Sequence, residues 1–397
     1  MTHNWDYKPI GDCFVYIKNG ANISQAKDSG GIPITRIETL SNGLFNRSKM
    51  GYANILEPGK YAQNVLNDGD LLMSHINSKS YIGRTVMYEA LPNEVIIHGM
   101  NLLRLVPNET TLSKFFYYFT LSHYFKSKIV KIRKDAVNQS SFSITDLKKI
   151  NIPVPPLAEQ QQIVAELDKI NETIEDCREL LRNLDALAQS LFCDFFGDPA
   201  INPKGWRIYK IKDICSVNPT KREIRIPTSS EISFLPMEDL PINARYFTPI
   251  KVKTLNEVQN SYTYFSGEDV LFAKVTPCFE NGKAGIPVNL INNIGFGSSE
   301  LFVLRPNFQI INREYIYSFI RTNHFVSEAI KKLSGTSGLR RVPRTVVENF
   351  QIPVPPLELQ EKFAARMEEI EAQKKTVEST IAELQTLLDS RMDYYFG

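Results

Sequence analysis

The sequence predicts two globular domains and two long α-helices, with the helices paired as an antiparallel coiled coil about a pseudo-two-fold axis. Three observations predict this architecture. A motif recurs unchanged 200 residues apart, an unbroken heptad pattern follows each copy, and the charge balance changes sign with the repeat. A chain of 397 residues has room for two or three domains of ordinary size. At 43% hydrophobic residues it supports real cores and is no disordered chain.

The repeat comes first, because it sets every boundary. Ile152-Pro-Val-Pro-Pro-Leu157 returns as Ile352-Pro-Val-Pro-Pro-Leu357, and Phe196-Gly197 returns as Phe396-Gly397. Between these anchors Gln160, Ala165, Ile170, Leu184, Leu187 and Ser190 match their counterparts 200 positions on. Looser echoes link Trp5 and Asp12 to Trp206 and Asp213, and Leu103–Asn108 to Phe302–Asn307; each of the latter is followed by an aromatic stretch (Phe115 to Phe119, Tyr315 to Phe319). A long period with two copies is a duplicated domain pair rather than a solenoid. The expected boundaries are a first domain at 1–150, a spacer helix at 151–197, a second domain at 198–350 and a second spacer helix at 351–397.

The spacer segments are helices. Proline suits the extended lead and the first helical turn. Apolar residues then fall at Ile163, Leu167, Ile170, Ile174, Cys177, Leu181, Leu184, Ala188, Leu191 and Phe195, in the alternating four-three spacing of a coiled-coil seam. The second copy places Phe363, Met367, Ile370, Lys374, Val377, Ile381, Leu384, Leu388, Arg391 and Tyr395 on the same seam, two of them charged. Each helix runs about 40 residues, or roughly 60 Å. Core helices of a globular bundle are the alternative; heptads unbroken in both copies favour a paired coiled coil. The first helix carries the chain from one domain to the other, so a second helix packed on it must run back.

Charge follows the same plan. Residues 1–150 carry a net +6, 151–197 a net −6, 198–350 a net +6 and 351–397 a net −4, which the overall +2 conceals. Two basic domains separated by acidic helices would draw a polyanion to both domains, with salt-sensitive affinity. In the first domain Lys131, Arg133 and Lys134, with Lys126 and Lys128, lead into Gln139. In the second, Lys331 and Lys332 lead into a Gly/Ser-rich loop with Thr336, Ser337, Arg340 and Arg341, and Arg344 beyond. Such loops offer backbone N–H groups and cations to phosphates, while Arg and Gln read guanine and adenine edges. A second candidate loop in each domain follows an apolar, strand-like run: Ser78 and Lys79 after Asp70–Met73, Lys274 and Thr276 after Asp269–Phe272.

A search for catalytic chemistry yields little. The sequence has no phosphate-binding loop, no His-Glu-x-x-His, no Cys/His cluster with metal spacing and no Asn-Pro-Pro-Tyr. The catalytic and metal sets are therefore expected to be empty. Five scattered cysteines, no run of roughly 20 apolar residues and no visible secretory signal fit a cytoplasmic protein without membrane contact.

The organisation resembles the specificity subunit of Type I restriction–modification systems. The likeness is carried by Ile152–Gln160 and Ile352–Gln360, by the heptad helices, by the junction of Gly197, Asp198, Pro203, Lys204, Gly205 and Trp206, and by the loop Ser334–Arg341. It covers nearly the whole chain. The resemblance implies two mixed α/β target-recognition domains spaced by an antiparallel coiled coil, reading a bipartite, asymmetric double-stranded DNA target. It implies two modification subunits and motor-nuclease restriction subunits as partners, which would hold S-adenosylmethionine, ATP and magnesium; this chain would hold no cofactor. It assigns no base contacts. A coiled-coil adaptor with two protein-binding heads, a nuclease with an unfamiliar site, and a specificity subunit that has lost its partners remain open at this point.

Overall fold

The computed structural model describes residues 5–26, 30–137, 139–335 and 339–397. The chain divides into two compact units, Met1–Cys177 with Thr380–Gly397, and Arg178–Ser379. Each unit thus contains a mixed α/β domain, the start of one long helix and the end of the other.

In the first unit the central sheet is antiparallel, in the order Phe14–Asn19, Leu102–Pro107, Leu71–Ser74, Thr85–Met87. Side chains alternate across a strand, so the apolar run at 71–73 serves two cores. Leu71 and Met73 pack with Leu103, Leu105 and the helices Ser113–Leu121 and His123–Ile132, while Leu72 packs with Val86, Tyr88 and Leu102 on the other face. The aromatic stretch supplies Phe115, Phe116 and Phe119 to the first core, and Ser122 caps the second helix by accepting from Phe125 N at 3.1 Å.

The second unit repeats the plan with a larger main sheet. Its main sheet runs Cys215–Val217, Leu301–Pro306, Val270–Ala273, Ala284–Pro287, Tyr246–Phe247, the last pair parallel. A four-stranded sheet (Lys251–Thr254, Glu231–Leu235, Gly295–Gly297, Thr263–Phe265) lies alongside in the chain. Val270 and Phe272 face the helices Arg313–Ile320 and Asn323–Ile330; Leu271 and Ala273 face the opposite core. Each strand is preceded by a carboxylate salted to an arginine of the neighbouring strand: Asp70 to Arg104 at 2.6 Å and Asp269 to Arg305 at 2.7 Å. Both carboxylates are buried, and breaking either pair would leave an uncompensated charge inside.

The repeated motif joins domain to helix. Asn151–Val154 pairs antiparallel with Asp6–Pro9, and Gln351–Val354 with Arg207–Lys210, in matching registers. Two prolines end the strand, and helices Leu157–Phe196 and Leu357–Phe396 begin. Gln160 is fully buried: its side-chain carbonyl accepts from Leu112 N at 2.9 Å, and its amide donates to Thr110 O and Pro155 O, both at 2.8 Å. Gln360 makes the same three bonds, to Asn312 N, Ile310 O and Pro355 O.

In each unit the start of one long helix lies beside the end of the other, which is antiparallel pairing. Ile163 and Leu167 share a core with Met392 and Phe396 in the first unit, and Phe363 and Met367 share one with Phe192 and Phe196 in the second. Ile170, Ile174, Leu184 and Ile370 are buried; Leu181, Val377, Ile381 and Leu384 are half-buried. The heptad expectation fails at the helix ends. Phe192, Phe196, Met392 and Phe396 are the buried residues there, one position beyond Leu191, Phe195, Arg391 and Tyr395. A straight helix drifts from a 3.5-residue repeat, and its last turns are gripped by the globular domain. Phe196 stands edge-on to Tyr315 at 4.8 Å, and Phe396 lies 5.3 Å from Phe115.

The two charged seam positions are paired. Lys374 is buried, 2.8 Å from Asp185 and 3.6 Å from Glu371, and donates to Asn243 O at 3.3 Å. Arg391 grips Glu166 with two nitrogens, and the Tyr395 hydroxyl donates to the same carboxylate. The guanidinium and hydroxyl hold the Glu166 carboxyl below its usual range. Among the described residues no helix is long and apolar enough to cross a membrane.

Replacing Gln160 by Ala leaves a buried N–H and two carbonyls without partners. Differential scanning calorimetry should show a loss of about 1–3 kcal/mol or more, and Gln360→Ala should do the same. A pH dependence follows from His98, which is buried with Nε2 3.0 Å from Leu102 O. Burial pushes it down to about 4, so the unfolded chain takes up a proton that the folded chain refuses. Its contribution is complete above about pH 6.5 and is lost as pH falls toward 4, a range of about 3 kcal/mol. Urea unfolding of wild type and His98→Asn at pH 7 and pH 4.5 should show the acid loss shrinking in the variant.

Candidate nucleic-acid interface

The two loops suggested separately in the first domain meet in one small sheet. Strand Leu71–Ser74 runs on into Ile76–Asn77, which pairs with Ser140–Ser141, which pairs in turn with Lys134–Asp135. The Phe142 N–H donates to His75 O at 3.2 Å and closes the frame. Lys134–Asp135 and Ser140–Ser141 thus form a short hairpin ladder rooted on the loop that leaves the central strand.

Asp135 organises the cations. Its carboxylate lies 3.2 Å from Lys79 Nζ and 2.8 Å from Arg133 Nε, and it accepts from Ser140 Oγ at 2.6 Å. The Ser140 hydroxyl first, then Lys79 and Arg133, hold its carboxyl below the ordinary range. Lys131, Lys134 and Gln139 are exposed, as is Ser78, whose backbone N–H donates to Asn77 Oδ1 at 2.8 Å. Arg133 differs from the sequence expectation of an open contact residue. Its side chain is only 19% exposed and is spent on Asp135, which makes it a support for the hairpin.

The second unit builds the same frame. Ser334 and Arg341 pair through both backbone bonds, at 3.0 and 2.8 Å, and Arg341 also bridges to Val275. Thr276 N donates to Arg340 O at 2.9 Å, Arg340 N donates to Thr276 Oγ1 at 3.0 Å, and Val342 N donates to Lys274 O at 2.9 Å. Glu300 takes the place of Asp135. It receives Arg341 bidentately at 2.9 and 3.0 Å, with Lys274 Nζ at 3.9 Å, and Arg341 above all keeps its carboxyl low.

Other residues named from the sequence are distributed unevenly around this frame. Lys332 is exposed, Lys331 pairs with Glu328 at 2.6 Å, and Arg340 stands 3.5 Å from Glu280 while staying 46% exposed. Thr276 is buried with its hydroxyl already engaged, so it shapes the loop rather than presenting a contact. Arg344 turns away, to Val217 O at 3.0 Å and Glu348 at 2.7 Å, and belongs to the helix Arg344–Glu348. Thr336 and Ser337 lie outside the described residues.

Sequence reasoning missed the acids. Asp135 and Glu300 carry no motif; the available signal for Asp135 was its place directly after Arg133 and Lys134, and Glu300 had none. His75 lies at the root of the first loop, within the candidate segment Ser74–Lys79. Asn19 Nδ2 lies 3.1 Å from His75 Nε2, and burial lowers the ring's pKa.

The whole arrangement is a cationic hairpin, pinned by a carboxylate to a strand-end loop, and present once in each unit. Backbone N–H groups and cations of this kind bind phosphate oxygens and base edges.

Comparison with known proteins agrees with that chemistry. The family model described as the Type I restriction modification DNA specificity domain matches residues 2–183 and again 203–386. The putative type I restriction enzyme MjaX specificity subunit of Methanocaldococcus jannaschii is 29% identical over 387 residues, spanning 94% of this chain and 88% of that subunit. The type I restriction enzyme EcoAI specificity subunit of Escherichia coli is 37% identical over 168 residues, 42% of this chain and 28% of its own length. Two solved structures share the fold at low identity. One is a chain from work on complex assembly and conformational transition of the type I R-M system, with TM-score 0.60 and 17% identity, covering 100% of this chain and 98% of that one. The other is the Type-I restriction-modification system S subunit from M. genitalium, with TM-score 0.52 and 12% identity, at 100% and 98% coverage. Matched along both halves, the chain belongs to the family of Type I restriction–modification DNA specificity domains and carries two of them.

Proposed function

We propose that the two units read the two halves of an asymmetric, bipartite double-stranded DNA target, one half-site each, and direct chemistry performed by other chains. The observation that carries this reading is the duplicated frame: a strand-end loop and a cationic hairpin, tied by Asp135 in one unit and Glu300 in the other. Each tie holds cations in place before DNA arrives, which lowers the entropic cost of ordering them on binding.

In this reading Ser78, Lys79, Lys131, Lys134 and Gln139 face one half-site, and Lys274, Lys332, Arg340 and Arg341 the other. Arg133, Thr276 and Arg344 shape the loops. Partners supply the rest: two modification subunits with S-adenosylmethionine for adenine methylation, and motor-nuclease subunits with ATP and magnesium for cleavage. A cytoplasmic location goes with that role. The helix Leu157–Phe196 carries the chain from one reader to the other, and its length sets the gap of unspecified bases.

Duplex binding by the full chain should weaken steeply with salt. Lys134→Ala should lower affinity for all sequences alike and reduce the log–log salt slope by about one. An unchanged slope would remove Lys134 from the phosphate contacts, and salt-independent binding would sink the reading. Inserting one heptad into each long helix should lengthen the recognised gap and leave both half-sites unaltered. Altered half-sites at constant gap would contradict the spacer role.

A further inference from the structure

Val137 is 99% exposed and Leu339 is 58% exposed. Val137 lies in the segment between Lys134 and Ser141, and Leu339 in the segment between Ser334 and Arg341. Neither belongs to a hydrophobic cluster of its unit, so neither side chain contributes to a core. A single exposed aliphatic residue is ordinary on a protein surface. Here one occurs within each of two frames whose other exposed side chains, among the described residues, are mainly cationic or polar: Lys79, Lys131, Lys134 and Gln139 in one unit, Lys332 and Arg340 in the other.

That placement constrains the ligand. Cations at the base and flanks of a hairpin settle on phosphates, and the tip between them then meets base edges. An aliphatic tip can neither donate nor accept a hydrogen bond. In the major groove the apolar group on offer is the 5-methyl of thymine. We propose that Val137 and Leu339 each contact a thymine methyl group, one in each half-site, and thereby specify an A·T pair at that position. The inference rests on the reading of the chain as a double-stranded DNA reader. The alternative geometry for an aliphatic tip is a wedge between base steps, which kinks the duplex and takes no account of the methyl group.

The test uses the full chain in complex with its modification subunits and a synthetic duplex bearing the mapped target. Each thymine is replaced in turn by deoxyuridine, which lacks only the methyl. For wild type, one replacement in each half-site should weaken binding about four-fold, the worth of one buried methyl group. Val137→Ala should abolish that sensitivity in one half-site and preserve it in the other, and Leu339→Ala should do the reverse. Both side chains lie in solvent, so both variants should keep the wild-type melting temperature. Indifference of wild type to every deoxyuridine, with sequence-specific binding intact, would overturn the inference, as would sensitivity that survives both alanine variants. Absence of sequence-specific binding by wild type would overturn the functional reading beneath it.

Discussion

One buried amide in each half fixes how a recognition domain is mounted. Gln160 and Gln360 each use both ends of the side chain on three backbone groups, joining the first turn of a long helix to the loop before the domain's aromatic helix. A buried side chain with a fixed donor and acceptor accepts only one orientation, because any other leaves polar groups unpaired at a cost exceeding what packing returns. The Pro-Pro step just before it stops the strand and starts the helix. The domain's first strand pairs with the same segment, so three separate parts of each half converge on residues 151–160 and 351–360.

From that mount the sheet positions the candidate loops. Strands Leu71–Ser74 and Val270–Ala273 are buried on both faces, held at one end by the Asp70–Arg104 and Asp269–Arg305 pairs, and open at the other into the candidate loop. Strand and candidate loop are therefore adjacent: packing decides where the loop begins, and Asp135 or Glu300 decides where its cations rest. In the proposed reading the acids lower the attraction for DNA and restrict the positions of the cations, which favours discrimination between sequences over simple affinity.

Much of this was legible in the sequence because duplication prints itself. The exact return of Ile152–Leu157 at 352–357 located both mounts, and the heptads located helices whose observed bounds are Leu157–Phe196 and Leu357–Phe396. The seam was misread only at the ends, where Phe192, Phe196, Met392 and Phe396 pack against the globular domain as well as the facing helix. The candidate loops were visible as basic segments, but their union was not. Ile76 and Ser141 lie 65 positions apart, and nothing local in either stretch announces the pairing. Burial of Thr276 and the turning of Arg344 to Val217 O are likewise tertiary outcomes. Hydropathy cannot separate a threonine that faces a ligand from one that braces a loop.

The central claim is that one chain reads two half-sites with two similar frames. Its most direct test is methylation mapping: co-expression with the modification subunit in a methylation-free host, then genome-wide detection of N6-methyladenine by long-read sequencing. The account predicts a single asymmetric motif in two parts with a constant gap, and loss of definition in one part alone when the hairpin of one unit is altered. An assembled complex that methylates no motif, or a motif whose two parts respond together to changes in a single hairpin, would contradict it.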